Sequence, residues 1–318
     1  MKKVLVIGAS GSLGKGVVNE LKKHYKVTGT YNNNKINIEN AEMVQVDIRN
    51  AKTLNNLSDD FDTVILIAGV MPAKMKGYNH QLYIDVNITG TLNVLEFCRK
   101  KNIKKIIYIM TFSDKAGQFY SGIPIKDDGE NTLNYRGDHA VYSISKVTAC
   151  ELMEHYHQEY GLQTIIFRIP TVYCNDDNFY YYVNGVKRTK AYIKMIQSIV
   201  NNKKIEIWGN PKNAKDMPYI KDFAVLIKKA VESKTAQGFY NAGTGNPVSL
   251  EVLVNTLIEV FGEGEEVEKI YKSKKPSQPN FTFDMIKTMQ EFDYKIKYGV
   301  REMFEDIKDT LGIEIFKR

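Results

Sequence analysis

The chain has 318 residues, of which 43% are hydrophobic, 25% charged and 11% aromatic. That length suits about two ordinary domains, or one large α/β unit with an accessory lobe, and the composition excludes a disordered, collagen-like or disulfide-scaffolded chain. The net charge of +7 is carried by scattered lysine pairs such as Lys2-Lys3, Lys22-Lys23, Lys100-Lys101 and Lys274-Lys275. There is no arginine-rich arm or basic reader helix, so nucleic acid is not an expected partner. A mild positive field would gather anionic, phosphate-bearing small molecules; a lysine-rich surface without that role is the alternative. Cys98, Cys150 and Cys174 form no CxxC pair, which argues against a disulfide framework and a metal site. The longest apolar run, 64–71, falls far short of the ~20 residues that cross a bilayer. The opening MKKVLVIGAS breaks at a glycine-rich turn, so it reads as a first strand and not a signal peptide. No membrane partner and a cytoplasmic location are expected.

Strand and helix signals alternate through the first half. Residues 3–7 are a β-branched run, followed by the loop GASGSLG and a helical pattern over 15–23. Residues 27–30 and 43–46 read as further strands, and 63–68 as a strand buried on both faces. A helix over 84–101 precedes a strand at 105–110, and a helix over 143–160 precedes a strand at 163–168. This alternation predicts a Rossmann-like, doubly wound parallel sheet. The character changes over 173–190, a polar stretch rich in asparagine and tyrosine that reads as an insertion or lid. A helix at 191–201, a strand at 205–208, a helix at 222–233 and a strand at 238–241 follow. The tail holds amphipathic helices at 250–261 and 300–311 around a polar strand-and-turn region. The expected organisation is a Rossmann dinucleotide-binding domain made of 1–171 plus 218–248. A smaller C-terminal α/β substrate lobe would take 172–217 plus 249–318.

Gly8, Gly11 and Gly14 stand three apart between a strand and a helix. Gly8 permits the tight turn, Gly11 lets the backbone approach a pyrophosphate, and Gly14 allows close helix–strand packing. The helix N-terminus then faces the negative charge. Ser10, Ser12 and Leu13 complete the expected cofactor loop. A dinucleotide fingerprint adds an acid about 20 residues on, which bonds the adenosine ribose. Here the second strand ends Thr30-Tyr31-Asn32-Asn33-Asn34-Lys35, with no acid. Its absence removes repulsion of a 2′-phosphate, and Lys35 is available to pair with one, which favours NADP. Asparagine also bonds a ribose hydroxyl, so NAD stays open. Tyr31, Asn32 and Lys35 are the candidate contacts.

Tyr142-Ser143-Ile144-Ser145-Lys146 opens the helix read at 143–160. A spacing of four puts tyrosine and lysine on one helical face. A tyrosine serves as a base near neutral pH only if its pKa falls by about three units, worth roughly 4 kcal/mol; a neighbouring ammonium and a nicotinamide cation do this. Lys146 is also placed to hold the nicotinamide ribose. Thr111 follows the strand at 105–110, at the carboxyl end where open α/β sheets hold ligands. Its hydroxyl would bond a substrate oxygen while Tyr142 exchanges the proton. Other features carry less. His155 and His157 face different ways on one helix, and His139 is a loop histidine near the site. Phe179-Tyr180-Tyr181-Tyr182 suits base or sugar stacking as well as a lid or subunit contact, and Trp208 reads as core.

These segments, with Leu66-Ile67-Ala68-Gly69, Asn87-Ile88-Thr89-Gly90-Thr91-Leu92-Asn93, Phe167-Arg168-Ile169-Pro170-Thr171-Val172-Tyr173, Met217-Pro218-Tyr219-Ile220-Lys221-Asp222 and Gly238-Phe239-Tyr240-Asn241-Ala242-Gly243, resemble the extended short-chain dehydrogenase/reductases. Within them the chain resembles the NAD(P)-dependent epimerase/dehydratase family acting on nucleotide sugars. The resemblance implies that Thr111, Tyr142 and Lys146 form a catalytic triad and that Asp47 and Ile48 lie against the adenine. It also implies that Ile67, Ala68, Gly69 and Asn87 line the cofactor, with Pro170 by the nicotinamide, and that the protein is a homodimer through the helices at 84–101 and 143–160. Phe112, Thr171, Lys215 and Tyr219 are the implied substrate contacts.

The departures narrow the reaction. Sugar dehydratases of this family follow the threonine with an Asp-Glu pair that supplies acid and base for water loss; here Phe112 and Ser113 stand there. The usual Asn before Val-Tyr-Gly-Pro is Thr171, and the usual Arg-Asp is Lys215-Asp216, a point charge without the bidentate fork. The reading is an epimerase of C4 type, passing a nucleotide sugar through a transient ketone. The rivals are an NADPH-dependent reductase of a carbonyl substrate and a cofactor-sensing protein that has lost its chemistry.

Overall fold

In the computed structural model, which describes residues 1–58 and 60–317, the alternating first half builds one sheet. Its elements are β1 (Lys3–Ile7), α1 (Ser12–Leu21), β2 (Lys26–Tyr31), β3 (Glu42–Gln45), α2 (Ala51–Leu54) and β4 (Thr63–Leu66). Then come α3 (His80–Tyr83), α4 (Gly90–Lys100), β5 (Lys105–Thr111), α5 (Asp138–Tyr160) and β6 (Gln163–Ile169). The hairpin β7 (Tyr180–Val183) and β8 (Val186–Thr189) leads to α6 (Ala191–Asn202), β9 (Lys204–Trp208), β10 (Ala214–Lys215) and α7 (Ile220–Glu232). The chain finishes with β11 (Gly238–Asn241), β12 (Val248–Ser249), α8 (Leu250–Phe261), β13 (Glu268–Lys272), α9 (Ile286–Phe292) and α10 (Val300–Leu311).

The seven-stranded sheet has the order β3-β2-β1-β4-β5-β6-β11, and every pairing in it is parallel. Strand side chains alternate between faces. Val4 and Val6 of β1 therefore join the apolar layer of α1 and α7, while Leu5 and Ile7 join that of α4 and α5. All seven residues of β5 are buried, as a central strand covered on both faces must be. The strand order reverses between β1 and β4, which opens the crevice where doubly wound sheets bind ligands. The later elements form β9 paired with β13, β10 paired with β12 and the β7–β8 hairpin. No helix among the described residues is long and apolar enough to cross a membrane.

Several boundaries differ from the sequence reading. The helix expected over 84–101 is interrupted: residues 84–89 form a π-turn and α4 starts at Gly90. That wide turn, a feature that often marks functional sites, carries Asn87. α5 starts at Asp138, so Tyr142 and Lys146 lie inside the helix and do not open it; Gly137, with φ of 76°, supplies the sharp entry. α1 likewise starts at Ser12. Trp208, expected in the core, is 38% exposed, with Lys194 and Lys275 over its ring. The ends of β5 and β6 are tied by a buried ion pair. The Arg168 guanidinium donates to the Asp114 carboxylate at 2.8–3.1 Å and also to the Asp127 carbonyl and Asn241 Oδ1. Breaking such a pair from one side leaves a buried charge uncompensated, which costs about 3–5 kcal/mol. Arg168→Met is expected to lose stability on that scale in urea unfolding, and a loss below about 1 kcal/mol would contradict the pair's structural role.

Candidate active site

The glycine loop is shaped by contacts that only glycine survives. Gly8 has φ of 97°, and a Cβ there would meet the Ala68 backbone at 2.6 Å. A Cβ on Gly14 would stand 2.2 Å from the Gly8 carbonyl oxygen. Gly11, by contrast, faces open space toward the cleft, with only the Lys74 ammonium and the Gly8 oxygen near, at 3.6 and 3.7 Å. No side chain caps the N-terminus of α1, so its free N–H groups are available to an anion. These features fit a dinucleotide pyrophosphate. The cleft, of about 500 Å³, is lined by the loop residues Gly8, Ser10, Gly11, Leu13 and Gly14 and by Tyr31, Asn32, Asp47, Ile48, Ile67, Ala68 and Gly69.

On the cleft lining the Asp47 carboxylate is held low by Arg49, which grips it at 2.6–3.1 Å. Sequence reasoning missed Arg49 and Lys74, both of which line the cleft; lysine and arginine in loops carry no periodic signal. Lys35, expected at a 2′-phosphate, is exposed and outside the lining, which ends at Asn34 on this segment. Ser12 also lies off the lining and accepts a hydrogen bond from Asn178 at 3.2 Å. Asn87 does not face the cleft. It is 2% exposed and its amide clamps both backbone groups of Val70, at 2.9 and 3.0 Å, and donates to Ser145 Oγ at 2.9 Å. It thereby positions the Gly69–Val70 wall.

Beyond that wall lie Lys146 and, one turn earlier on α5, Tyr142. A Cβ on Gly69 would be 4.0 Å from Lys146 Nζ. Lys146 Nζ donates to the Ile109 carbonyl at 2.6 Å and lies 4.0 Å above the Tyr108 ring. Burial pushes its pKa down to about 8. Burial pushes the Tyr142 phenol up to about 12, against the hydrogen bond with Thr111 that lowers it. Tyr83 and His139 pack their rings beside Tyr142, with centroids 6.0 and 6.3 Å away.

The implied substrate contacts separate. Phe112 is half-buried and stacks with Phe119 and Phe281, Lys215 is half-buried on β10, and Thr171 is exposed. Tyr219 is fully buried with its hydroxyl on Asp306, which removes it from any substrate surface; its apolar ring is needed in the core beneath Tyr298. Pro170 is buried and lies off the cleft lining.

A parallel sheet, a glycine turn at its switch point and a buried tyrosine–lysine pair one helical turn apart define a Rossmann-fold enzyme of the short-chain dehydrogenase/reductase type. The family model described as the NAD dependent epimerase/dehydratase family matches residues 4–243, and the chain belongs to that family. A putative UDP-glucose 4-epimerase of Methanocaldococcus jannaschii is 27% identical over 96% of this chain and 99% of its own length. A UDP-glucuronate 4-epimerase of Thermodesulfobacterium geofontis is 30% identical over 71% of this chain and 65% of its own. Among solved structures, UDP-glucuronic acid 4-epimerase from Bacillus cereus in complex with NAD superposes with a TM-score of 0.77 at 21% identity, covering 99% of this chain and all of that one.

Because the Gly14 contact is with backbone, Gly14→Ala forces the loop open. It is expected to weaken NAD binding at least tenfold by calorimetry, at a cost of about 1–3 kcal/mol in stability. Unchanged affinity would contradict the packing role.

Proposed function

We propose that this protein is an NAD-dependent nucleotide-sugar 4-epimerase, with segments 1–171 and 218–248 holding the dinucleotide and 172–217 and 249–318 the sugar nucleotide. What supports the reading is the placement of Tyr142 and buried Lys146 one turn apart on α5, with Lys146 beside the Gly69 wall of the cleft and Thr111 lowering the Tyr142 pKa, and with Phe112 and Ser113 where a dehydratase would keep an acid–base pair. Bound nicotinamide supplies the hydride acceptor and donor. Tyr142 takes the proton of the sugar C4 hydroxyl and returns it after the ketone has turned over. Thr111 donates to the phenolate first and then to the carbonyl oxygen of the ketone, which holds that oxygen in line with the phenol. Lys146, one helical turn away, would hold the nicotinamide ribose, and its positive charge would favour the phenolate.

NAD rather than NADP is proposed because Lys35 lies outside the cleft and the Arg49 guanidinium is already held by Asp47. Neither cation is free for a 2′-phosphate. What supports epimerisation over dehydration is chemical: neither Phe112 nor Ser113 carries a group that moves a proton near neutral pH.

The test incubates the purified protein with UDP-glucose, UDP-N-acetylglucosamine and UDP-glucuronate, without added cofactor, and follows the C4 epimers by NMR. At least one pair should equilibrate. Tyr142→Phe should lower kcat about 10²–10⁴-fold while calorimetric NAD affinity stays the same. Stoichiometric consumption of added NADPH would replace this reading with a carbonyl reductase. The pH dependence follows from sign. The base works deprotonated, so activity rises with pH through the Tyr142 pKa. Removing the Lys146 charge with Lys146→Met should move that acid limb upward; an unmoved limb would contradict the electrostatic role of the lysine.

A further inference from the structure

Thr111 is not an isolated hydroxyl. Ser143, the residue after Tyr142 on α5 and 2% exposed, donates from Oγ to Ser113 Oγ at 2.7 Å. Ser113 Oγ stands 2.9 Å from Thr111 Oγ1, and the Ser113 backbone N–H also donates to Thr111 Oγ1, at 3.2 Å. Each hydroxyl has a single proton and two acceptor sites. With one acceptor site of Ser113 taken by Ser143, its own proton has Thr111 Oγ1 as its hydrogen-bond acceptor. Thr111 Oγ1 then accepts twice, from Ser113 Oγ–H and Ser113 N–H, and its one proton is left for the oxygen on its other side. The Tyr142 phenol, whose pKa Thr111 lowers, is the acceptor assigned to that proton.

We propose that Ser143, Ser113 and Thr111 form a one-way chain of hydroxyl donors ending on Tyr142, in which Ser113 and Ser143 are positioning residues that fix Thr111 as a donor. The proposal rests on the epimerase reading and names a part of its machinery. Its chemistry is proton placement alone: no bond other than O–H is made or broken, and the proton that Tyr142 accepts comes from the sugar hydroxyl. A donor fixed in direction stabilises the phenolate that accepts the proton, and then the carbonyl oxygen of the ketone. A hydroxyl free to rotate would instead present a lone pair for part of the time. Hydrogen bonds in a chain polarise one another, so the outer two serines strengthen the last bond. Ser113 stands where dehydratases of the family carry the second residue of their acid–base pair, so the same place serves a different purpose here. The remaining groups that face Tyr142 are Lys146 on its own helix, Tyr83 with its partner Asp138, His139, Tyr108 on β5, and Asp114 paired with Arg168. None of them is altered by the variants below.

The experiment titrates protein carrying ¹³Cζ-labelled tyrosine with NAD bound, following the resonance that Tyr142→Phe removes, and measures kcat against pH for the same variants. Ser113→Ala is expected to raise the Tyr142 pKa by about half a unit and to lower kcat about threefold on the acid limb, with KM within about a factor of two. Ser143→Ala should move the pKa the same way by less, and Ser113→Thr, which keeps the hydroxyl, should restore it. A uniform loss of kcat at every pH with the resonance unmoved would make the serines merely structural and overturn the proposal, as would no change at all. Wild-type protein inert toward every nucleotide sugar would sink the epimerase reading instead. The NMR titration would still decide whether the chain exists.

Discussion

The buried pair of Asp114 and Arg168 holds the catalytic end of the sheet in place. Arg168 sits at the end of β6 and Asp114 in the turn that follows β5, and the guanidinium also ties down the 126–127 backbone and Asn241 of β11. Three neighbouring strands are thus fixed relative to one another at their carboxyl ends. The turn that carries Asp114 also carries Ser113 and follows directly on Thr111, the last residue of β5, so the ion pair helps to place both hydroxyls. A charge pair that is almost wholly dehydrated contributes little net stability compared with an apolar replacement. Its value in this fold is geometric: it allows one arrangement of the turn.

A second constraint works from the other side of the crevice. Asn87 sits on a π-turn and clamps Val70, which sets the wall between the glycine loop and Lys146. The dinucleotide cleft and the tyrosine–lysine pair therefore share one rigid partition. Burial raises the Tyr142 pKa and lowers that of Lys146. In the proposed chemistry the charge arriving with the cofactor changes that balance, so the site is quiet until loaded.

Much of this was legible in the sequence because it rests on local rules. The glycine spacing, the β/α alternation and the four-residue separation of Tyr142 and Lys146 are short-range patterns, and each appears in the structure where the chain suggested. The start of α5 was not legible, since Gly137 and Asp138 begin it through loop geometry while the helix itself is weakly amphipathic. Nor was the interruption at 84–89, because a π-turn leaves the apolar pattern nearly intact. Lys35 and Tyr219 show the limit most clearly. Both were assigned by position along the chain, yet one side chain projects to solvent and the other is enclosed by core. The serine chain lay in plain view as residue types, but its meaning required knowing that the turn after β5 meets the second turn of α5.

In the proposed reaction the hydride leaves and returns through a cofactor the protein keeps. The most direct test supplies a UDP-sugar deuterated at C4, with no added dinucleotide, and reads the product by NMR and mass spectrometry. Epimerised product that retains its deuterium at C4 is expected, with NAD as the dinucleotide released on denaturation. Product that has lost the label, or turnover that stops unless NADPH is added and consumed mole for mole, would contradict it.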